Sequence, residues 1–201
     1  MGKGGQKMKG NRTVRDFENA LENLLEKHQF AHLTVDQICN EALLHRSSFY
    51  RYFHDKYDLL EHLIDTRVRD IIDGALSESD LIESGVNYID THKKIFRNVT
   101  DSGPNRTLFS ELMRIISEVI INRSKAQPTD TIGKMIQHSN NPELLAYSIS
   151  GSFMGACFWW QTKNYNVPKQ EVVTFARQAV MALSSGDRNL NKGGIQHVGN
   201  D

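Results

Sequence analysis

Cysteine and proline are scarce in this chain, and neither sign of charge dominates. Two cysteines among 201 residues, Cys39 and Cys157, exclude a disulfide framework and a four-cysteine zinc site, and they fit a reducing compartment. All four prolines lie at or after residue 104. The 24 basic and 24 acidic residues give a formal net charge of zero, which argues against a polycationic coat protein but permits a local basic surface.

Long hydrophobic runs are missing as well. The longest apolar stretch, residues 153–160, is interrupted by Gly155 and is far shorter than the ~20 residues of a membrane span. The basic, glycine-rich start of the chain is not followed by the apolar segment of a signal peptide. These absences predict a cytoplasmic protein without membrane association.

Apolar residues recur at helical spacing throughout the chain. In the first such segment, about residues 12–28, Val14, Phe17, Leu21 and Leu25 keep to one face. No segment shows sustained alternation with β-branched enrichment. The sequence therefore predicts an all-α fold. Further helices are expected from residue 34, near 45–52, and over 55–73, 81–92, 93–100, 107–123, 130–138, 142–163 and 169–184.

Capping residues and composition mark where these helices begin and end. Thr34 and Gln37 form a capping-box pattern, Asp55 is placed to cap the helix that follows it, and Gly74 is placed to end that helix. Residues 1–10 are basic and rich in glycine, and residues 185–201 are rich in Gly, Asn and Asp, so we expect a disordered arm and a disordered tail.

Two segments near the C-terminus carry more apolar surface than one core covers. Residues 149–160 are apolar or small almost all the way round a helix, and the next helix has a wide apolar stripe. The pattern is explained if one face of these helices lies in the subunit core and another packs against a partner subunit. A wholly internal hairpin would give the same pattern. The positions predicted to face a partner are Gly151, Gly155, Phe158, Trp159, Val172, Phe175, Ala179 and Val180.

Residues 34–56 form the most informative stretch, which reads as two short helices joined by a tight turn. Cys39 fits a position that only a small buried residue can occupy. The outward positions of the second helix hold side chains that hydrogen-bond phosphates and base edges. A solvated polar face would have the same composition, so this pattern alone leaves both interpretations open. These outward residues are Arg46, Ser47, Ser48, Tyr50, Arg51 and Tyr52, with Lys56 just beyond.

The order of residues in this stretch resembles the N-terminal helix-turn-helix of the TetR family of bacterial transcriptional regulators. The matching positions run from Thr34-Val35 and Ile38 through Arg46, Ser48-Phe49-Tyr50 and Asp55-Lys56, and the similarity extends over about residues 13–63. The resemblance implies nine or ten helices, with a DNA-binding domain at 11–55 and a regulatory and dimerising domain at 56–184. A weaker similarity over 142–184 is to a low-GC Gram-positive branch that includes regulators of dihydroxyacetone-kinase operons.

The resemblance also implies which residues contact DNA. Leu43 and His45 depart from the family pattern, which usually has glycine at the turn and serine or asparagine at the cap. Thr34 and Lys56 match positions that contact phosphate, and Tyr50 and Tyr52 are also expected on phosphates. His45 is also expected to contact DNA. The side chains expected at the major groove are Arg46, Ser47, Ser48, Tyr50 and Arg51.

The function that the resemblance implies is a homodimeric, sequence-specific regulator that binds a palindromic operator in double-stranded DNA, with repression as its expected effect. A small molecule or a protein partner would modulate it through the C-terminal domain. Plain core packing is the favoured interpretation of the apolar positions that could line a ligand pocket. Those positions are His92, Phe96, Phe109, Met113, Ile116, Tyr147, Met154 and Cys157.

Other classes of function have less support in the sequence. An enzyme is not expected, because the chain has no glycine-rich phosphate loop, no nucleophile elbow and no His-Glu-x-x-His motif. For the same reason no metal ion and no cofactor is expected. The alternative is a helical adaptor that acts through protein partners rather than through DNA.

Overall fold

The structure, a computed structural model, describes residues 3–74, 77–100, 106–126 and 131–190. In that part of the chain it consists of ten α-helices and no strand, as the helical spacing of apolar residues predicted. None of these helices combines the length and the apolar character needed to span a lipid bilayer. The helices are α1 (Lys3–Leu25), α2 (Val35–Glu41), α3 (Arg46–Phe49), α4 (Lys56–Gly74), α5 (Glu78–Thr91), α6 (Lys93–Thr100), α7 (Arg106–Ala126), α8 (Thr131–His138), α9 (Pro142–Thr162) and α10 (Lys169–Leu190).

Helix ends agree with the sequence prediction to within a few residues, except at α3 and at the two outer helices. α3 has four residues, half the predicted length. α1 begins at Lys3 and α10 ends at Leu190, so residues 3–10 and 185–190, predicted as disordered, are helical. Neither segment contains proline, and extending an existing helix adds one hydrogen bond for each residue fixed. Residues 191–201 of the predicted tail lie outside the described residues.

The chain divides into two compact units. The first consists of Met1–Ile71 and Tyr88–Leu112, and the second of Ile72–Asn87 and Met113–Asp201. The first unit therefore extends past residue 55, where the sequence predicted a domain boundary. It does so because α4 places Leu59, Leu60 and Leu63 in the same buried core as Phe17 of α1.

Capping groups close the helices of the first unit. Asp55 caps α4, since its Oδ1 accepts hydrogen bonds from the backbone N–H groups of Tyr57 and Asp58 at 2.8 and 2.9 Å. At the end of α1, the side chain of Asn98 donates to the carbonyl of Leu25 over 2.7 Å. The Asp55 cap follows the sequence prediction, whereas the Asn98 contact joins residues far apart in the chain.

A network of polar side chains, the α1–α4 network, fixes α4 to α1. Glu18 is 3% exposed, and its Oε1 contacts His62 Nδ1 at 2.9 Å and accepts a hydrogen bond from Thr66 at 2.8 Å. Arg67 donates to both oxygens of Glu22, from Nε at 2.7 Å and from Nη2 at 2.6 Å. The hydrogen bonds with Glu22 raise the pKa of Arg67 above its ordinary value, so this arginine stays charged.

The second unit is built around α9, which packs against α8 and α10. α9 begins at Pro142, and the side chain of Asn141 caps it by accepting from the N–H of Leu144. Its largest buried residue, Trp160, is 1% exposed and donates from Nε1 to the carbonyl of Val167 over 2.8 Å. The indole thereby holds the connection from α9 to α10 against the end of α9.

Candidate nucleic-acid interface

The interface begins with α2, whose N-terminus carries the predicted capping box. The hydroxyl of Thr34 accepts from the N–H of Gln37 at 3.3 Å, and Gln37 Oε1 accepts from the N–H of Thr34 at 2.8 Å. The Thr34 hydroxyl also donates to Gln37 Oε1 over 3.1 Å. The Thr34 hydroxyl therefore both donates and accepts a hydrogen bond within the cap. This makes it less available for the predicted contact with a DNA phosphate.

The turn from α2 to α3 depends on Leu43, which has a φ of 54°. Residues with a Cβ lose about 1–2 kcal/mol in this left-handed region, which explains why related turns favour glycine. The conformation allows the N–H of Leu44 to reach the carbonyl of Cys39 at 3.0 Å. Leu43 is 91% exposed, so its side chain is carried into solvent at the tip of the turn.

One side of α3 is anchored in the core by Phe49. This ring is fully buried and meets Phe17 edge-on, with centroids 5.3 Å apart and an interplanar angle of 84°. A second aromatic contact joins it to Phe53 at 5.5 Å. Because α3 has only one turn, this anchor decides which way its remaining side chains point.

The other side of α3 faces away from the core, as predicted. His45, Arg46, Ser47, Tyr50 and Arg51 are all exposed, while Ser48 is half-buried. His45 occupies the N-cap position but makes no side-chain cap hydrogen bond. Tyr52 is half-buried and packs against the core of the first unit, so its position differs from the outward one that the sequence predicted.

Arg46 is held in place by two neighbours. Its Nη1 lies 2.9 Å from Oδ1 and 3.0 Å from Oδ2 of Asp36 in α2, and its Nη2 donates to Tyr50 Oη over 3.1 Å. The guanidinium also lies over the Tyr50 ring, 5.6 Å from its centroid. The hydrogen bond with Tyr50, together with the charge of Asp36, keeps the pKa of Arg46 above its ordinary value. Sequence reasoning missed Asp36, because no spacing rule links residues on two separate helices.

Lys56 has different partners from those predicted. Its Nζ donates to the backbone carbonyls of Phe30, Ala31 and Leu33, at 3.0, 3.0 and 2.8 Å. An ammonium has three N–H groups, so these contacts use all of them. Burial lowers the pKa of Lys56, and the charge of Asp55 partly opposes that change. Lys56 thus fixes the segment that leads into α2, and a phosphate contact would require it to give up a carbonyl.

The residues predicted to line a ligand pocket fall in both units. His92, in the first unit, stacks on Tyr88 with ring centroids 4.3 Å apart. Met154 and Cys157 are buried in the second unit, and burial raises the pKa of the Cys157 thiol to about 12. The side chain of Phe109 lies outside the described residues. Half-buried positions among the candidates are His92, Phe96, Met113, Ile116 and Tyr147.

The residues predicted at a partner interface separate into buried and exposed sets. Val172 and Val180 are 3% and 2% exposed, which places them in the core of their own chain. Gly151 is also packed internally, since a Cβ there would stand 3.2 Å from Met113 Cε. Gly155, Trp159 and Phe175 are exposed, and Phe158 and Ala179 are half-buried. Among the described residues, no three His, Cys, Asp or Glu side chains form a group that could hold a metal ion.

Comparisons with known proteins agree with this geometry. Residues 19–63 match the family model described as bacterial regulatory proteins, tetR family. This match runs from the middle of α1 through the helix-turn-helix into α4. The chain thus carries the N-terminal helix-turn-helix domain of the TetR family. No curated protein matches the chain.

Solved structures extend the similarity to most of the chain. A TetR transcriptional regulator from Streptococcus agalactiae 2603V has a TM-score of 0.60 at 14% identity, over 87% of this chain and 97% of its own. A TetR-family regulator described as putative, from Syntrophomonas wolfei str. Goettingen, has a TM-score of 0.59 at 14% identity, over 94% and 99%. The dihydroxyacetone kinase operon activator DhaS has a TM-score of 0.56 at 14% identity, over 88% and 97%. The fold of this chain is therefore similar to that of these three regulators.

Proposed function

We propose that the chain is a DNA-binding transcriptional regulator that reads a palindromic operator with the outward face of α3. The observation that supports this most strongly is the division of α3 into two sides. Phe49 anchors one side in the core, while Arg46, Ser47 and Arg51 are exposed on the other. An exposed arginine on a helix that enters the major groove can donate to O6 and N7 of guanine.

We propose that two copies bind one operator. Trp159 and Phe175 are large apolar side chains that are 49% and 59% exposed, and a Cβ at Gly155 would meet no other atom within 4 Å, so this surface can accept a partner. A second copy that covers this part of α9 and α10 would remove it from water. The two α3 helices would then read half-sites about 34–36 Å apart, one turn of DNA.

Modulation by a small molecule or a protein partner completes the proposal. An effector shifts the equilibrium between two conformations only by its difference in affinity for them. The half-buried positions Met113, Ile116 and Tyr147 of the second unit are candidates for this contact. Repression is the proposed effect, and the cytoplasm is the proposed location. Activation is the second candidate, since one protein with this fold is described as an operon activator.

The competing proposal is an adaptor that has lost DNA binding and acts through protein partners. Such an adaptor would not need side chains that bind phosphates and bases on the exposed side of α3. Arg46, Tyr50 and Arg51 argue against that, because all three are exposed and of the types that bind DNA.

Selection of bound fragments from genomic DNA with the purified protein tests the proposal. We expect one or a few fragments that share an inverted repeat, and a reporter gene placed behind such a fragment gives the sign of regulation. Recovery of fragments with no common sequence would contradict the proposal and favour the adaptor.

Replacement of Arg46 by alanine is expected to weaken binding to the selected operator by about 1–3 kcal/mol and to relax the base preference at one position of each half-site. The physical reason is the loss of two parallel N–H donors. Gel-shift titration over single-base operator variants measures both effects. Arg46→Lys is the matched control, because it keeps the charge but lacks the planar fork, so we expect it to retain affinity for non-operator DNA without the base preference. Unchanged base preference in both variants would contradict the assignment.

A further inference from the structure

We propose that Asp36 is a specificity-determining residue, which positions the guanidinium of Arg46 for one base pair and opposes its use on phosphates. This inference rests on the proposed function and adds a residue of α2 to the reading surface. Asp36 itself need not contact DNA. It acts through Arg46, and it is therefore a positioning residue.

The described contacts leave two N–H donors of the guanidinium. Asp36 engages Nη1 through both carboxylate oxygens, and Tyr50 Oη accepts one N–H of Nη2. Arginine has five N–H donors, so the Nε–H and one N–H of Nη2 remain for DNA. We expect these two donors to meet O6 and N7 of guanine. The contacts with α2 and with Tyr50 fix the plane in which that pair is presented.

The position of Asp36 also explains why this arrangement favours bases over backbone. The carboxylate is 60% exposed beside an arginine that is 57% exposed, so the pair is close to neutral at the surface that meets DNA. A neutral pair gains little from the field of the phosphates, whereas an isolated arginine would bind them at any sequence. Asp36 therefore lowers affinity for non-operator DNA more than affinity for the operator.

The bond between Asp36 and Arg46 adds little to folding. Ion pairs between exposed side chains contribute little to stability, because water and salt screen the two charges. Removal of the carboxylate should therefore leave the first unit folded, so a change in DNA recognition would not arise from unfolding. Asp36→Asn is the most conservative way to remove the charge, because it keeps the size of the side chain.

The experiment compares Asp36→Asn with Asp16→Asn, which removes the same charge from α1 without touching the contacts of Arg46. Gel-shift titrations measure the affinity of both variants and of the unaltered protein for the selected operator, its single-base variants and a scrambled duplex of equal length. Asp36→Glu provides a test of rescue. Thermal unfolding checks that every variant folds.

For Asp36→Asn we expect the ratio of operator to scrambled affinity to fall by about 3- to 10-fold, a fraction of the roughly 5- to 150-fold discrimination of an arginine–guanine contact. The loss should be concentrated at the base pair whose preference Arg46→Ala relaxes. Asp36→Glu should restore part of it, and Asp16→Asn should leave it unchanged.

Three results would overturn the inference. Asp36→Asn could behave as Asp16→Asn does, or it could bind operator and scrambled DNA more tightly by the same factor, which would make Asp36 a simple electrostatic brake. The unaltered protein could show no preferred DNA, in which case the proposed function fails as well. In the first two cases Arg46→Ala still relaxes the base preference, so failure of this inference is distinguishable from failure of the proposed function.

Discussion

Replacement of Phe49 by alanine is expected to lower the free energy of unfolding of the first unit by about 3–5 kcal/mol and to abolish operator binding. Phe49 is fully buried and contacts the rings of Phe17 and Phe53 at 5.3 and 5.5 Å, so its truncation leaves a cavity at the centre of the core. α3 has four residues, all of them described, and Phe49 is the one that is buried. Urea denaturation followed by circular dichroism measures the first effect, and gel shift measures the second.

Two control variants separate packing from chemistry in this prediction. Phe49→Leu fills much of the same volume and should cost less than about 1.5 kcal/mol. Ser47→Ala, on the exposed side of the same turn, should change stability by no more than about 0.5 kcal/mol. If Phe49→Ala folds too poorly to measure, Phe49→Leu still tests the idea. A loss for Phe49→Leu no larger than that for Ser47→Ala would contradict the anchoring role of this ring.

Replacement of Arg67 by methionine is expected to destabilise the first unit by about 3 kcal/mol. The guanidinium donates twice to Glu22, and the two side chains are only 26% and 20% exposed. Removal of one partner leaves a largely buried carboxylate without its counter-charge, while methionine keeps most of the apolar stem. Urea denaturation gives the change in the free energy of unfolding.

The matched control for this prediction lies two residues along the same helix. Arg69 donates from Nε to Asp65 over 2.8 Å, but the side chains are 52% and 39% exposed. Such a pair, four residues apart on a helix, contributes about 0.3–0.5 kcal/mol, so Arg69→Met should have a small effect. The double variant Arg67→Met/Glu22→Leu should recover part of the stability lost by Arg67→Met. Equal losses for Arg67→Met and Arg69→Met would show that the contact with Glu22 adds nothing.

Local features of the fold could be predicted from the sequence because their causes lie within a few residues of chain. Thr34 and Asp55 cap helices by binding N–H groups two or three residues further on. The spacing of apolar residues likewise predicted the buried side of α1, where Phe17, Leu21 and Leu25 are buried. The unusual turn after α2 could also be recognised locally, because this turn favours glycine and the chain has Leu43, which carries a Cβ.

Contacts between distant residues could not be predicted in this way. Lys56 has the character of a phosphate-binding residue, yet its Nζ is bound to three carbonyls that lie 23 to 26 residues earlier. Asp36 is a polar residue on an exposed helix face until the turn brings Arg46 beside it. The spacing of apolar residues also predicts which side of α10 is covered, but it does not show whether the same chain or a partner covers it. Val172 and Val180 were therefore expected at a partner interface, although they lie in the core of the chain.

The two ends of the chain show a further limit of local reasoning. Composition predicted disorder for residues 3–10 and 185–190, because glycine and polar residues are poor at starting a helix. Both segments instead continue a long helix that is stabilised elsewhere by its packed residues. The free energy of extending a helix depends on what the neighbouring turns already form, and that information is absent from the composition of a ten-residue window.

The most direct test of the central claim, that the exposed side of α3 enters the major groove, is methylation protection of the selected operator by dimethyl sulfate. This reagent methylates guanine N7 in the major groove and adenine N3 in the minor groove. We expect two symmetric sets of protected guanines about 10–10.5 base pairs apart, centre to centre, and we expect one guanine in each set to lose protection selectively in Arg46→Ala. Protection confined to adenine N3, or a guanine pattern that Arg46→Ala leaves unchanged, would contradict it.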